Sequence, residues 1–192
     1  MDAYIFYISC IFIQNIYIPT QVLSDIAQKT TAKHTTKNKE RRNLTMEIAI
    51  IAHDMKKELM AQFCIAYCGI LSKHNLCATA VTAKYISEAT GLHIDRLMSG
   101  EQGGEEQIAS RIAYNEIDVL LYFRDTRPQS ITSKNNAIES ELMRMCDLYN
   151  IPVATNIATA EVIITALERG DLDWREIVNP HSAYNKSKVN NG

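Results

Sequence analysis

The chain has 192 residues, of which 46% are hydrophobic and 22% are charged, and its formal net charge is −2. This length allows one ordinary domain with a hydrophobic core, and the composition excludes a disordered protein. Residues 1–45 hold six of the 20 basic residues and three of the 22 acidic ones, which leaves a net charge of −5 on residues 46–192. An acidic body argues against nucleic acid as the main partner.

The cysteines indicate a reducing compartment. They are five in number, scattered and without a CxxC pair: Cys10, Cys64, Cys68, Cys77 and Cys146. An odd, unpatterned set is typical of reduced thiols in a cytosolic protein and is not a zinc site. We therefore predict a cytoplasmic protein.

Residues 1–45 differ in composition from the remainder of the chain. Residues 1–18 are apolar and nearly uncharged, and residues 28–45 are polar and basic. One interpretation is a membrane anchor or a secretory signal, but no Lys or Arg precedes the apolar run. We favour the other interpretation, that residues 1–45 are a translated upstream extension or a disordered leader, with no membrane partner. The main domain is then predicted at 46–180, followed by a polar tail at 181–192.

From Met46 onward, apolar runs alternate with helical patterns. The runs predict strands at Glu47–Ala52, Leu76–Val81, Ile94–Met98, Val119–Phe123 and Val153–Thr155. The helical patterns predict helices at Met55–His74, Lys84–Thr90, Glu105–Asn115, Ala137–Tyr149 and Ala160–Arg169. This alternation predicts an α/β domain in which helices cover both faces of a five-stranded parallel sheet.

Polar residues follow each predicted strand, and ligands of such sheets bind beyond the carboxyl ends of the strands. The candidates are His53, Asp54 and nearby Lys57; Thr79, Ala80, Val81 and Thr82; Ser99 and Gly100; Arg124 and Asp125; and Thr155 and Asn156. Each has a structural alternative; Thr82 and Asp54, for example, could be helix N-caps. The convergence of hydroxyls, a lysine, a histidine and carboxylates on one edge favours an active site.

A glycine-rich turn, Ser99–Glu106, leads directly into the third predicted helix. Its backbone N–H groups and the positive end of the helix dipole suit an anion such as phosphate. Glu105 and Glu106 place carboxylates beside the same turn. The sequence therefore predicts a phosphate pocket with a carboxylate base next to it.

These motifs together resemble the methylglyoxal synthase family. The resemblance runs from about Met46 to Pro180 and is carried by His53-Asp54 with Lys57, Thr79 to Thr82, Leu97-Met98-Ser99-Gly100, Gly103-Gly104, Phe123-Arg124-Asp125 and Asn150 to Asn156. It implies a flavodoxin-like fold, a homohexamer, no metal or other cofactor, and conversion of dihydroxyacetone phosphate to methylglyoxal and inorganic phosphate. Phosphate would be both a product and a competitor of the substrate.

The resemblance also implies roles for individual residues. The phosphate group would be held by Lys57, Thr79, Ala80, Val81, Thr82, Ser99 and Gly100, with His53 in the substrate pocket. Glu105 would be the catalytic base, and Asp54 and Asp125 would be supporting carboxylates.

Some positions depart from the family pattern. Glu105 stands where the family has an aspartate, and no histidine lies between His93 and His181, although the family has one in the loop after Asp125. Arg127 or Lys134 is the candidate replacement as oxyanion donor. Ala80 and Ala83 replace glycines, so a positive φ there would be strained. The alternative function is therefore a catalytically impaired homologue that binds phosphate metabolites in a regulatory role.

Overall fold

The computed structural model describes residues 44–127 and 133–178, which contain a parallel sheet between helices. The strands are β1 (Glu47–Ala52), β2 (Asn75–Ala78), β3 (Asp95–Arg96), β4 (Val119–Phe123) and β5 (Val153–Ala154). The helices are α1 (Lys57–Ala66), α2 (Cys68–Leu71), α3 (Ala80–Thr90), α4 (Gly104–Ala113), α5 (Ser133–Leu148), α6 (Ile157–Arg169) and α7 (Arg175–Val178). Short 3-10 turns at Asp54–Lys56 and Gly100–Gln102 precede α1 and α4.

The strand order is β3-β2-β1-β4-β5, and every described pairing is parallel. The chain builds the sheet outward from β1 through β2 to β3 and then returns to the other side of β1 with β4. The carboxyl ends of β1 and β4 are therefore a topological switch point, the usual place for a ligand in an open α/β sheet.

Two apolar layers hold the helices onto the two faces of the sheet, because successive side chains of a strand point to opposite faces. Ile48 and Ile50 of β1 belong to the layer that contains residues of α1, α3 and α6. Ala49 and Ile51 belong to the opposite layer, with residues of α4 and α5. The predicted α/β fold with a flavodoxin-like, doubly covered parallel sheet is confirmed.

Several strand and helix ends differ from those predicted by the local sequence pattern. The bounds of β1 and β4 are as predicted, but β2 stops at Ala78 and β3 is only two residues long. Residues 80–82 therefore form the first turn of α3 and not the end of a strand. The predicted helix from Met55 is divided into a 3-10 turn, α1 and α2, and α5 begins at Ser133, before the predicted start at Ala137.

The predicted leader and tail lie largely outside the described residues. Within the described part of the chain, no helix has the length and apolar character needed to cross a membrane.

Candidate active site

His53 joins the ends of the two central strands at the switch point. Its backbone N–H donates to the carbonyl of Phe123 (3.1 Å), and the N–H of Asp125 donates to its ring Nδ1 (2.9 Å). Because an amide N–H can only donate, Nδ1 is the acceptor, and the proton of the neutral ring is on Nε2. The ring orientation is thus set by the backbone that follows β4.

Tyr122 connects His53 to Glu105. Its hydroxyl lies 3.0 Å from His53 Nε2 and is placed to donate to the Glu105 carboxylate, whose pKa it lowers. The residue is 1% exposed and sits in β4, opposite Ile51 of β1. Tyr122 was not among the site residues predicted from the sequence. The available signal was a tyrosine in a strand of otherwise apolar residues, since a buried phenol needs a polar partner.

Glu105 lies in the first turn of α4 and is half-buried. Burial raises the pKa of its carboxyl, and the negative charges of Glu106 and Glu139 raise it further, whereas the hydrogen bond from Tyr122 lowers it. Carboxyl groups with a raised pKa are frequent among catalytic acids and bases. The environment of Glu105 therefore suits proton transfer.

The glycine-rich turn requires two of its glycines. Gly103 has a φ of +97°, which side-chain-bearing residues rarely adopt, and a Cβ on Gly104 would lie 2.2 Å from the carbonyl oxygen of Met98. The Ser99 carbonyl accepts hydrogen bonds from the N–H groups of Gln102 (3.0 Å) and Gly104 (2.9 Å). A Cβ built on Gly100 would have Glu105 Oε1 as its nearest neighbour at 4.0 Å. The Glu105 carboxylate therefore lies beside the turn.

The start of α3 lies against the same turn. Thr79 is the N-cap residue, and its hydroxyl donates to that of Thr82 (3.1 Å), so Thr82 is inside the helix and not its cap. The Ala80 N–H donates to the Met98 carbonyl (3.1 Å) and the Ala83 N–H to that of Thr79 (2.8 Å). Among the described hydrogen bonds, none is donated by the amides of Val81 and Thr82. These two N–H groups are therefore suited to bind an anion.

The strain considered at Ala80 and Ala83 does not occur. Both residues are helical, and the non-glycine residues of positive φ in the described part of the chain are Asn115 and Asn150. Alanine is therefore compatible with the backbone at both positions.

The other two candidate carboxylates have different surroundings. Asp54 has a 91% exposed side chain and forms an ion pair with Lys57, whose side chain is 13% exposed. Asp125 is buried and accepts from Nε (2.9 Å) and Nη2 (2.6 Å) of Arg127. These hydrogen bonds lower the pKa of Asp125 to about 2. Asp125 is therefore an ionised structural partner, and the Arg127 side chain is engaged by it.

Two further charged residues approach the cluster. Arg124, which follows β4, forms an ion pair with Glu139 of α5, and Glu139 contributes to the raised pKa of both Glu105 and Tyr122. Arg124 was among the strand-end candidates, but Glu139 was not, because only the packing of α5 on α4 brings Glu139 close to Glu105.

At the end of β5, the Asn156 side chain has a structural role: it caps α6 by accepting a hydrogen bond from the Thr159 N–H (3.1 Å). The Lys134 side chain lies outside the described residues.

The fold and this cluster define an α/β protein with an anion-suited turn and a half-buried carboxyl group of raised pKa at the carboxyl edge of its sheet. The MGS-like domain family matches residues 60–155. The methylglyoxal synthase of Caldicellulosiruptor saccharolyticus is 56% identical over 143 residues, 74% of this chain and 99% of the relative. The methylglyoxal synthase of Oceanobacillus iheyensis is 52% identical over 134 residues, which are 69% of this chain and 93% of the relative.

A solved structure supports the same assignment. The crystal structure of methylglyoxal synthase from Elizabethkingia anophelis is similar with a TM-score of 0.55 and 36% sequence identity, covering 63% of this chain and 78% of that one. The chain belongs to the methylglyoxal synthase family and is a lyase of that class. The expected family and enzyme class are confirmed.

Proposed function

We propose that this enzyme converts dihydroxyacetone phosphate to methylglyoxal and inorganic phosphate, with Glu105 as the base. Glu105 removes a proton from the hydroxymethyl carbon next to the carbonyl, which gives an enediolate. Phosphate then leaves from the other carbon, and protonation of the resulting enol at that carbon gives methylglyoxal. The observation that carries the proposal is a half-buried carboxyl group of raised pKa beside Gly100, in a turn suited to phosphate. General base catalysis typically contributes a factor of about 10²–10⁴.

The phosphate group is held by the two helix starts and a lysine. The amides of Val81 and Thr82 and the turn at Ser99 and Gly100 supply neutral donors, and Lys57 supplies a positive charge close to the end of β1. Ala80 contributes through its backbone, which fixes the start of α3 on the Met98 carbonyl. Inorganic phosphate, the product, competes for the same donors.

The remaining predicted residues support the reacting groups. His53 is in the substrate pocket, where its ring orientation is set by the Asp125 amide. Asp125 is an ionised carboxylate that fixes Arg127 and the strand end, and Asp54 holds the Lys57 ammonium group. None of these three replaces Glu105 as the base.

A second candidate function is a catalytically impaired homologue that binds phosphate metabolites. One observation favours it: Arg127, a candidate replacement for the missing loop histidine, already donates to Asp125. An oxyanion that develops without a donor is poorly stabilised, which would lower turnover without preventing phosphate binding.

The two functions are separated by measuring methylglyoxal and phosphate released from dihydroxyacetone phosphate by the full chain. We expect product from the wild type and a loss of about 10²–10⁴-fold in Glu105→Gln, which keeps the size of the side chain and removes its basicity. Unchanged phosphate binding and an unchanged unfolding midpoint would show that the variant is folded. Phosphate binding without product above the Glu105→Gln level would support the impaired homologue.

We also propose that the enzyme is a homo-oligomer, a hexamer by analogy with the family resemblance, and that it works in the cytoplasm. Large apolar side chains near the site are exposed in the single chain, among them Met98 (51%) and Val81 (42%). Cys64, Cys68, Cys77 and Cys146 are free thiols, as expected in a reducing compartment. Light scattering of the full chain tests the assembly, and a monomeric mass would contradict it.

A further inference from the structure

Hydrogen bonds run in one direction from the backbone after β4 to the Glu105 carboxylate. The Asp125 N–H donates to His53 Nδ1, so His53 Nε2–H donates to the Tyr122 oxygen (3.0 Å). The phenolic proton is then left for the carboxylate, which can only accept when it is ionised. Each donor is thus oriented by the one before it, and the first is a fixed main-chain amide.

The Glu105 carboxylate, at the end of this series of hydrogen bonds, is the group whose position matters most for the reaction. Glutamate has one more rotatable bond than the aspartate at the corresponding family position, and an error of about 1 Å at a reacting group can reduce a rate on the order of 10²-fold. The Tyr122 ring cannot follow a moving carboxylate, because it is 1% exposed and packed in the apolar layer that contains Ile51 and Ile108.

We propose that Tyr122 is a positioning residue of this enzyme: its hydroxyl, oriented by His53, holds the Glu105 carboxylate where it removes the substrate proton. The inference rests on the proposed role of Glu105 as the base. Tyr122 is not one of the proposed phosphate-binding residues, and its polar contacts are with His53 and Glu105.

The hydrogen bond also biases the ionisation of Glu105. Burial and the charges of Glu106 and Glu139 favour the neutral acid, and the Tyr122 hydroxyl opposes them. Arg124 pairs with Glu139 and so reduces the effect of that charge. Removal of the hydroxyl therefore raises the pKa of Glu105, which moves the acidic limb of the rate profile to higher pH.

The test compares Tyr122→Phe with Tyr67→Phe in the full chain. Tyr67 is the matched control because its hydroxyl is also hydrogen-bonded to a glutamate, Glu161, but away from the strand ends that form the site. In Tyr122→Phe we expect kcat to fall by about 10–100-fold and KM to stay unchanged. The acidic limb of the rate profile should move to higher pH. Tyr67→Phe should match the wild type in all three.

A direct titration makes the result independent of turnover. The carboxyl carbon of Glu105, assigned by its loss in Glu105→Gln, is followed by 13C NMR in the wild type and both tyrosine variants. A higher Glu105 pKa in Tyr122→Phe alone shows that the Tyr122 hydroxyl holds the carboxylate, whereas a wild type that makes no methylglyoxal refutes the proposed function; the two failures are thus distinguished. An unchanged Glu105 pKa in Tyr122→Phe, or an equal shift in Tyr67→Phe, overturns the inference about Tyr122.

A milder replacement covers the case in which Tyr122→Phe does not fold. 3-Fluorotyrosine at position 122 keeps the ring and makes the hydroxyl a stronger donor. We expect it to lower the pKa of Glu105, opposite to the effect of phenylalanine, and no change or a rise would overturn the inference.

Discussion

Strand β4 carries a buried polar cluster at each end, and the clusters differ in how their polar groups are satisfied. At its start, Arg175 is fully buried and donates to the carbonyls of Tyr149 (3.0 Å) and Ile117 (3.0 Å) and to the side chain of Asn115 (2.9 Å). Its Nε lies 3.6 Å from Asp118, which also accepts from the Glu47 N–H (3.0 Å). The guanidinium therefore connects α7 to the loops that precede β4 and β5.

At the other end of β4, the series of polar groups ends at the half-buried Glu105 carboxylate, which accepts from no main-chain N–H in the described part of the chain. The hydrogen bond from Tyr122 favours the ionised form of Glu105, and burial and neighbouring acids oppose it. Burial alone therefore does not mark a functional site. A buried charge surrounded by fixed backbone acceptors stabilises the fold, whereas a partly exposed acid in a contested environment can exchange a proton with a ligand.

The largest effect expected on the first cluster is from Arg175→Met. It removes the buried guanidinium from Asp118 and from the carbonyl and amide acceptors around it, so the free energy of unfolding should fall by about 3–5 kcal/mol. Urea unfolding measures the loss. The control is Arg169→Met, because Arg169 has a 58% exposed side chain paired with Asp171, and such a pair contributes about 0–1 kcal/mol. Equal losses in the two variants would remove the distinction between the clusters.

A smaller effect is expected on the ligand side of the second cluster. Lys57→Ala removes the proposed cationic phosphate donor, and a hydrogen bond to a charged group is worth about 1.5–3 kcal/mol, or roughly 10–150-fold. The inhibition constant of inorganic phosphate should rise by this factor. Lys73→Ala, which removes an exposed charge beside His74, is the control. Inhibition that persists unchanged in Lys57→Ala would place the phosphate site elsewhere.

The smallest effect is expected from Glu106→Gln. Glu106 is exposed, and its charge raises the pKa of Glu105, so its removal lowers that pKa. The ionised base then persists to lower pH, and the acidic limb of kcat/KM should move down by less than about one pH unit, since solvent screens the interaction. The shift is opposite to that of Tyr122→Phe. Glu88→Gln, whose charge pairs with Lys84 on α3, should leave the profile unchanged.

Local patterns determined much of the fold. Continuous apolar runs identified β1 and β4 with correct bounds, because both are buried on two faces, and Gly91 and Gly170 end α3 and α6 in the left-handed conformation. The glycine-rich turn was visible for the same reason, since Gly103 and Gly104 meet requirements of their own backbone. Short strands at the sheet edge were misjudged, because pairing with a neighbour decides their length.

Only the tertiary structure decided which polar groups meet. His53 and Tyr122 are 69 residues apart, and Arg175 and Asn115 are 60 apart, yet each pair is within hydrogen-bond distance. Arg175 breaks no local pattern that would have marked it, and the signal for Tyr122 was its polar hydroxyl in an otherwise apolar strand. The sequence by itself determined the strands, the turn and the acid beside it. The packing of α4 and α5 on the sheet produced the surroundings of that acid, and the packing of α7 produced those of Arg175, because hydrogen bonds and burial depend on groups that the chain brings together only when it folds.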